Sequence, residues 1–379
     1  MGVVSFFADV AGEMIAPLLP LYITSVLGAP ATAVGLIDGV AELSASVFRA
    51  AGGWWSDRAG ARKPTVVFGY GLSAVAKPLL AVAAGWPGLL VARFLDRAGK
   101  GIRGSARDAL IASTTEKKHL GKAFGVHRAM DTAGAVTGPL IGLWLLNTVG
   151  LSYPAIFLLA GIPALAAVAV LVAFVRDARR ETVPSPAASG AAKPLSARFW
   201  AFLAVYAVFA LGNSSDSFLL LKGRAAGMTA TTVVLAYVLF NLVNAACATG
   251  AGHLADRFGR RLTVSVGMGV YALCYFGFAR AATPAALWPL FALYGVQAAL
   301  IEGSFRAAVA DASEPGNRGL AQGVFQGAAG VLAFTASVLA GVMWTKIAPS
   351  APFYFGAACA ALAAVLLPFT VWRQGVRKS

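Results

Sequence analysis

Charge is what this chain has least of, and acid least of all. Asp, Glu, Lys and Arg make up 12% of its 379 residues, and 16 of them are acidic, whereas a soluble domain carries about 25% charge. So little charge cannot cover a water-facing surface, which excludes an ordinary soluble domain. Cysteine is as sparse. Cys247, Cys274 and Cys359 lie inside apolar stretches without metal-ligand spacing, which argues against a disulfide framework or a zinc site. Also missing are a Ser/His/acid constellation, a Walker loop and any cofactor fingerprint. Gly99-Lys100-Gly101 lacks the rest of a phosphate loop and sits within an apolar segment. These absences predict a protein that is not an enzyme, binds no cofactor and does not run on ATP.

What is present is apolar. Hydrophobic residues reach 58% and the mean hydropathy is +0.73, values that belong in a lipid bilayer. A crossing needs about 20 apolar residues, and twelve segments qualify: 3–27, 31–56, 65–84, 87–111, 121–147, 152–175, 199–221, 228–250, 262–280, 285–311, 319–346 and 351–372. The expected class is an all-α membrane protein. A net charge of +15 would suit nucleic acid if it formed one face, but the basic residues fall in short loops instead. Alternate loops hold eighteen of them, against four on the other side, Lys222, Arg224, Arg280 and Lys346. By the positive-inside rule the rich side, with both termini, is cytoplasmic. The apolar run from Val3 lacks a basic start and runs too long for a cleavable signal. With the short loops, this leads us to expect a bacterial inner (plasma) membrane.

The chain divides at its most polar stretch. Residues 176–198, with Pro184-Ser-Pro186, read as a cytoplasmic linker. It separates an N-terminal half, 1–175, from a C-terminal half, 199–379, that ends in a short tail. A motif repeats between the halves. Gly53-Trp-Trp-Ser-Asp57-Arg58-Ala-Gly60-Ala-Arg62-Lys63 returns 199 residues later as Gly252-His-Leu-Ala-Asp256-Arg257-Phe-Gly259-Arg260-Arg261. Repetition at half the chain length implies a duplicated fold. On physical grounds Gly53 and Gly252 let helices approach closely. Asp57 and Asp256 are placed to accept backbone N–H groups where the next helix starts. Gly60 and Gly259 suit a tight turn, and Arg62 and Arg260 hold the loop on the cytoplasmic side.

These two stretches resemble the loops between helices 2 and 3 and between helices 8 and 9 of the major facilitator superfamily of transporters, over essentially the whole chain. The resemblance implies two pseudo-symmetric six-helix bundles around a central cavity, a small-molecule substrate and a monomer. No nucleic-acid partner is expected.

Charges inside the apolar segments carry the rest. Ten acids and nine bases lie in or at the ends of the spans, and each costs about 2.5–3.5 kcal/mol at the bilayer centre on the lenient insertion scale. They must pair or line a wet cavity. Helix 4 is densest, with Arg93, Asp96, Arg97, Lys100, Arg103, Arg107 and Asp108; positions 93, 97, 100, 104 and 107 share one face, which must look inward. The Arg93 position resembles the superfamily arginine that is associated with proton transfer in drug exporters. Asp96, Arg97 and Lys100 depart from the pattern that surrounds it there, and a structural salt-bridge ladder is the alternative. Asp9 with Glu13, and Asp38 with Glu42, are i, i+4 pairs on helices 1 and 2. Close carboxylates cannot both ionise cheaply, so one can carry a proton; neutralising Arg49, Arg93 and Arg97 is their other role. Glu13 and Asp38 rank above Asp9, which lies near the helix end. On helix 5, Asp131 joins the predicted coupling set. Gly134, Gly138, Pro139 and Gly142 resemble the superfamily's antiporter signature, with Leu143 in place of its last glycine. That resemblance points to export. His127 is either a relay or a surface residue.

In the second half, Gly212-Asn213-Ser-Ser-Asp216 interrupts helix 7, a cavity-lining break. Asn213, Asp216 and Glu302 are the candidate substrate contacts, with Asn241, Asn244, Gln297, Gln322 and Gln326 behind them. The first expectation is secondary transport, driven by protons (or Na⁺), that exports a small molecule. The alternatives are uptake or exchange of an organic anion against Arg97 and Lys100, a metal exporter using the acids of helices 1 and 2, and a receptor that moves nothing.

Overall fold

The computed structural model describes residues 1–59, 62–177, 194–313 and 317–370. Among them every regular element is helical. In chain order these are α1 (Gly2–Glu13), α2 (Leu19–Leu21) with a π-helical turn at Tyr22–Val26, α3 (Ala31–Ala59), α4 (Lys63–Ala81), α5 (Gly85–Thr114), α6 (Leu120–Asn147), α7 (Tyr153–Leu159), α8 (Gly161–Phe174), α9 (Ala197–Gly212), α10 (Ser217–Ala225), α11 (Ala230–Phe258), α12 (Arg260–Arg280), α13 (Pro284–Asp311), α14 (Arg318–Lys346) and α15 (Ala351–Leu366). Nine helices among the described residues are long and apolar enough to cross a membrane. The expected crossings outside those nine are 3–27, which is broken, 65–84, and the charge-rich 87–111. Most of the expected linker, residues 178–193, and the tail from 371 lie outside the described residues.

Two elements break where proline or glycine removes helical bonding. Pro17 and Pro20 supply no amide, and the chain turns over 14–18 between α1 and α2. At Gly212 the α9 helix ends, and α10 restarts at Ser217 after Ser215 Oγ accepts from its amide at 3.2 Å. These two breaks fall in corresponding positions of the repeat, an arrangement that in duplicated transporters brackets the substrate site.

Helices before residue 178 pack mainly on one another, with α5 against both α3 and α4. Those after 194 do likewise, with α13 against α11 and α12. The two groups meet along α3–α14 and α6–α11. Their contact is strongest at one end, where Thr32 and Thr345 hydroxyls lie 2.9 Å apart and Asn147 Nδ2 donates to Thr231 Oγ1 at 2.9 Å. At the other end the groups diverge. Among the described residues, a side chain added at Gly252, Gly319, Gly323 or Gly327 would meet nothing within 4 Å. The structure is closed at one end and open at the end that carries the repeated motif.

The motif itself departs from the expected loop. Gly53 lies inside α3, and Asp256 and Arg257 lie inside α11, so only the last residues turn. Gly259, at φ +90°, makes that turn in the second copy, as expected. Gly53 is close to α5, its added Cβ falling 3.2 Å from Ser105 Oγ, whereas one on Gly252 would meet nothing within 4 Å among the described residues. The side chains of Asp57 and Arg58, and all of Gly60, lie outside the described residues.

Candidate functional site

A cavity of about 380 Å³ lies between the two groups of helices, beside both helix breaks. From the first group it receives Glu13, Asp38, Glu42, Arg93 and Arg97, and from the second Asn213, Asp216, Tyr237, Tyr294 and Gln297. The close crossing of α4 and α5 sets the first wall. Gly69 and Gly99 let those backbones meet, since a Cβ on Gly99 would fall 2.5 Å from Gly69 O. One turn away, Asp96 is held between Lys77 at 2.5 Å and Arg93 at 3.3 Å, all three nearly sealed from solvent. Arg103 is fixed through Ser73 Oγ at 2.9 Å and lies over the Tyr70 ring at 4.2 Å. Arg97 turns the other way, to Glu42 on α3 at 3.6 Å. The charges of helix 4 therefore turn inward, with Arg93, Arg97 and Lys100 of the expected face lining one space, while α3 and α4 on either side supply the partners Glu42 and Lys77.

The carboxylates meet hydroxyls from the other group. Ser215 Oγ donates to Asp38 Oδ2 at 2.6 Å, and Tyr237 OH donates to Glu13 Oε2 at 2.9 Å. Within the second group, Tyr294 OH donates to Asp216 Oδ1 at 2.7 Å. Of the pairings with Arg49, Arg93 or Arg97 that are the other role of the acids of helices 1 and 2, the ion pair of Arg97 with Glu42 is formed. Gln297 is buried in the wall, and its Oε1 has no hydrogen-bond partner among the described residues.

Helix α6 explains how Glu13 is placed. Gly134 and Gly138 receive the acid-bearing face of α1: added Cβ atoms would fall 2.9 Å from Asp9 Cβ and 2.8 Å from Glu13 Cβ. Gly142 meets Met14 O at 2.9 Å in the same way, and Pro139 sits within the unbroken helix. Asp131 is not brought to the cavity. It lies toward the open end of α6 with its Oδ2 3.4 Å from His127 Nδ1, and His127 is buried rather than a surface residue.

The motif positions serve elsewhere. Asp256 is exposed within α11 and does not cap α12, whose N-cap is Gly259 without a side-chain bond. In the first copy the carboxylate of Asp177 accepts from Arg62 N at 3.4 Å and Lys63 N at 3.2 Å. Arg62 Nη1 donates to Ala109 O at 2.7 Å, and Arg260 Nη1 reaches both oxygens of Asp311 at 2.9 and 2.8 Å. Each repeat thus ties the start of one helix to the end of the helix beside it. Arg257 stacks on Phe258 at 5.3 Å. The Glu302 side chain lies outside the described residues, and Asn241 bonds its own helix at Tyr237 O. The hydroxyls of Tyr237, Ser215 and Tyr294 were not anticipated. The available signal was tyrosine deep in an apolar helix, away from the interfacial belts where it is usual.

Comparisons agree with this architecture. The sequence profile of the Major Facilitator Superfamily matches residues 1–251 and 202–379. An uncharacterized MFS-type transporter of Methanocaldococcus jannaschii, MJ1317, is 34% identical over 97% of this chain and 93% of its own. The multidrug resistance protein MdtH of Cronobacter sakazakii is 34% identical over 35% of this chain and 32% of its own. A crystal structure of a POT family transporter in complex with a thioalcohol-conjugated peptide superposes with a TM-score of 0.81 at 12% identity, covering 97% of this chain and 94% of that one, a likeness of fold.

Proposed function

Because the chain belongs to the major facilitator superfamily and is an integral membrane transporter of small molecules, we propose that it exports its substrate by alternating access in exchange for protons. The observation that carries this reading is the pair of hydroxyl bridges, Asp38–Ser215 and Glu13–Tyr237, which span the halves inside one cavity. A carboxylate there sits where a proton and a substrate compete, and its loading alters the contact between the halves. The α6 glycines beneath Asp9 and Glu13, and the partial likeness to MdtH, favour export.

In this proposal 1–175 and 199–379 are two moving units of six crossings each, joined by the linker at 176–198, in a monomer. The open end faces the cytoplasm of a bacterial inner membrane, and both termini lie on that side. The metal-export alternative has no support from geometry, since no group of three or more His, Cys, Asp or Glu among the described residues is placed to hold an ion.

The test is proton flux in proteoliposomes containing a pH dye, with pooled cations, anions and neutral compounds as candidate substrates. Substrate-driven proton movement that disappears in Asp38→Asn is expected. Substrate flux without proton movement, with Na⁺ absent and present, would replace the coupling.

A further inference from the structure

A second, smaller space opens off the cavity inside the first group of helices, enclosed by α1, α4, α5 and α8. It shares Glu13, Arg93 and Arg97 with the central cavity. Five cations line it, Lys77, Arg93, Arg97, Lys100 and Arg103, against three carboxylates, Asp9, Glu13 and Asp96.

The carboxylates do not consume the cations. Asp96 serves both Lys77 and Arg93. Arg103 is satisfied by a hydroxyl and a ring. Among the described residues Arg97 pairs with Glu42, outside the chamber, at 3.6 Å, and its Nε is buried without a hydrogen-bond partner. Lys100 lies mid-helix and open to the chamber; Asp9 and Glu13 are the chamber carboxylates that act on it, and among the described residues neither forms an ion pair with it. Five cations still outnumber the three carboxylates, and an excess of charge within a lipid-crossing helix is costly to keep unless an ion or substrate uses it. The chamber is about 30 Å³, room for one or two waters. That is too small for a whole organic molecule and suits one anionic group.

We propose that this chamber is an anion subsite, in which Lys100 and Arg97 bind a single carboxylate-sized or halide-sized negative group. Its source is either the acidic end of a transported molecule whose body rests in the central cavity, or a separate small anion. This rests on the reading of that cavity as the substrate site, and the charge-assisted bonds of Lys and Arg supply the affinity.

The experiment uses the full-length protein in nanodiscs at constant ionic strength and without any gradient, so it stands apart from proton coupling. Acetate and chloride are titrated against gluconate, which is too large for the chamber, and thermal unfolding is read. Acetate or chloride should raise the unfolding temperature saturably in wild type and in Lys346→Gln. Apparent affinity should fall at least tenfold in Lys100→Gln and return in Lys100→Arg. Equal response to gluconate, or unchanged affinity in Lys100→Gln, would overturn the proposal. The wild-type comparison decides by itself if the variant does not fold. Lys100-dependent flux of labelled chloride in proteoliposomes would assign a free anion. Chloride that binds without flux, or acetate that binds alone, would assign the acidic end of a larger substrate.

Discussion

The hydroxyl of Tyr237 on α11 donates to Glu13 Oε2 on α1 at 2.9 Å, joining the last residue of one broken helix to the wall formed by the opposite half. A cation in that position would lock the carboxylate ionised. A phenol both donates and accepts, so the same contact persists, reversed, when Glu13 takes a proton. The bridge therefore tolerates a change of protonation and remains weak enough to break when the halves part.

Removing it is the first prediction. Tyr237→Phe keeps the ring and deletes a bond of about 0.5–1.5 kcal/mol, or about 1.5–3 with charged Glu13. The variant should fold, and the population open at the motif end should decline. Pulsed EPR distances between labels at Lys118 and His253 would read this. A distribution identical to the unmodified tyrosine protein would sink the idea.

Asp96 is the acid on which stability depends most. Asp96→Asn leaves Lys77 and Arg93 facing each other in a buried site, at a cost of about 3–5 kcal/mol for a broken buried pair. The unfolding temperature should drop sharply. Lys77→Met combined with Asp96→Asn should recover part of the loss, since one orphaned cation has gone. Additive losses in the double-mutant cycle would show that the two do not interact.

Gly138 and Gly323 make a contrasting pair. An added Cβ at Gly138 would fall 2.7 Å from Val10 O and 2.8 Å from Glu13 Cβ, while at Gly323 it would meet nothing within 4 Å. Gly138→Ala should cost about 1–3 kcal/mol through overpacking. Gly323→Ala should leave stability unchanged or raise it by about 0.4–1 kcal/mol. Unfolding of the two purified variants side by side checks both signs.

How much of this was legible beforehand follows from the kind of signal each residue leaves. Most helix ends came within a few residues, because lipid demands long apolar runs and proline or glycine marks where they fail, but α11 runs eight residues past the expected end at 250, to Phe258. Arg93, Asp96 and Arg97 were visible because a charge in an apolar segment stands out at once. Tyr237 and Ser215 left no such mark; an uncharged hydroxyl costs little in a helix, and its partner is fixed only when the two halves meet. Asp131 was assigned to the cavity from its place on helix 5, yet depth along that helix is set by where α1 docks on Gly134 and Gly138. Asp177 lies 114 residues from Lys63 in sequence, a separation across which no local pattern could link an acid to a helix start.

That cap gives the fourth prediction. Asp177→Ala removes the acceptor for Arg62 N and Lys63 N at the start of α4. A lost cap costs about 0.5–2 kcal/mol, and the exposed site should make the wild-type advantage smaller in high salt. Unfolding in low and high salt would reveal it; a loss independent of salt would point to packing instead of charge.

The last prediction concerns the seam between α3 and α14. At the closed end an added Cβ on Gly341 would fall 2.8 Å from Thr32 Cα, on Gly39 3.0 Å from Phe334 O, and on Gly330 2.5 Å from Ser46 Cβ. On α14 the positions 341, 337, 334 and 330 continue at helical spacing to Gly327, Gly323 and Gly319, where an added Cβ would meet nothing within 4 Å among the described residues. Half of the stripe is zipped and half is open. In the proposed alternating access the open half closes when the other parts, and the empty glycines would then be the surface of the second state. Gly323→Trp should leave the present state folded and able to bind substrate, since its surroundings are vacant, while blocking closure at the motif end. Transport should fall at least tenfold with affinity within a few-fold. Retained transport would mean that the halves close along another line.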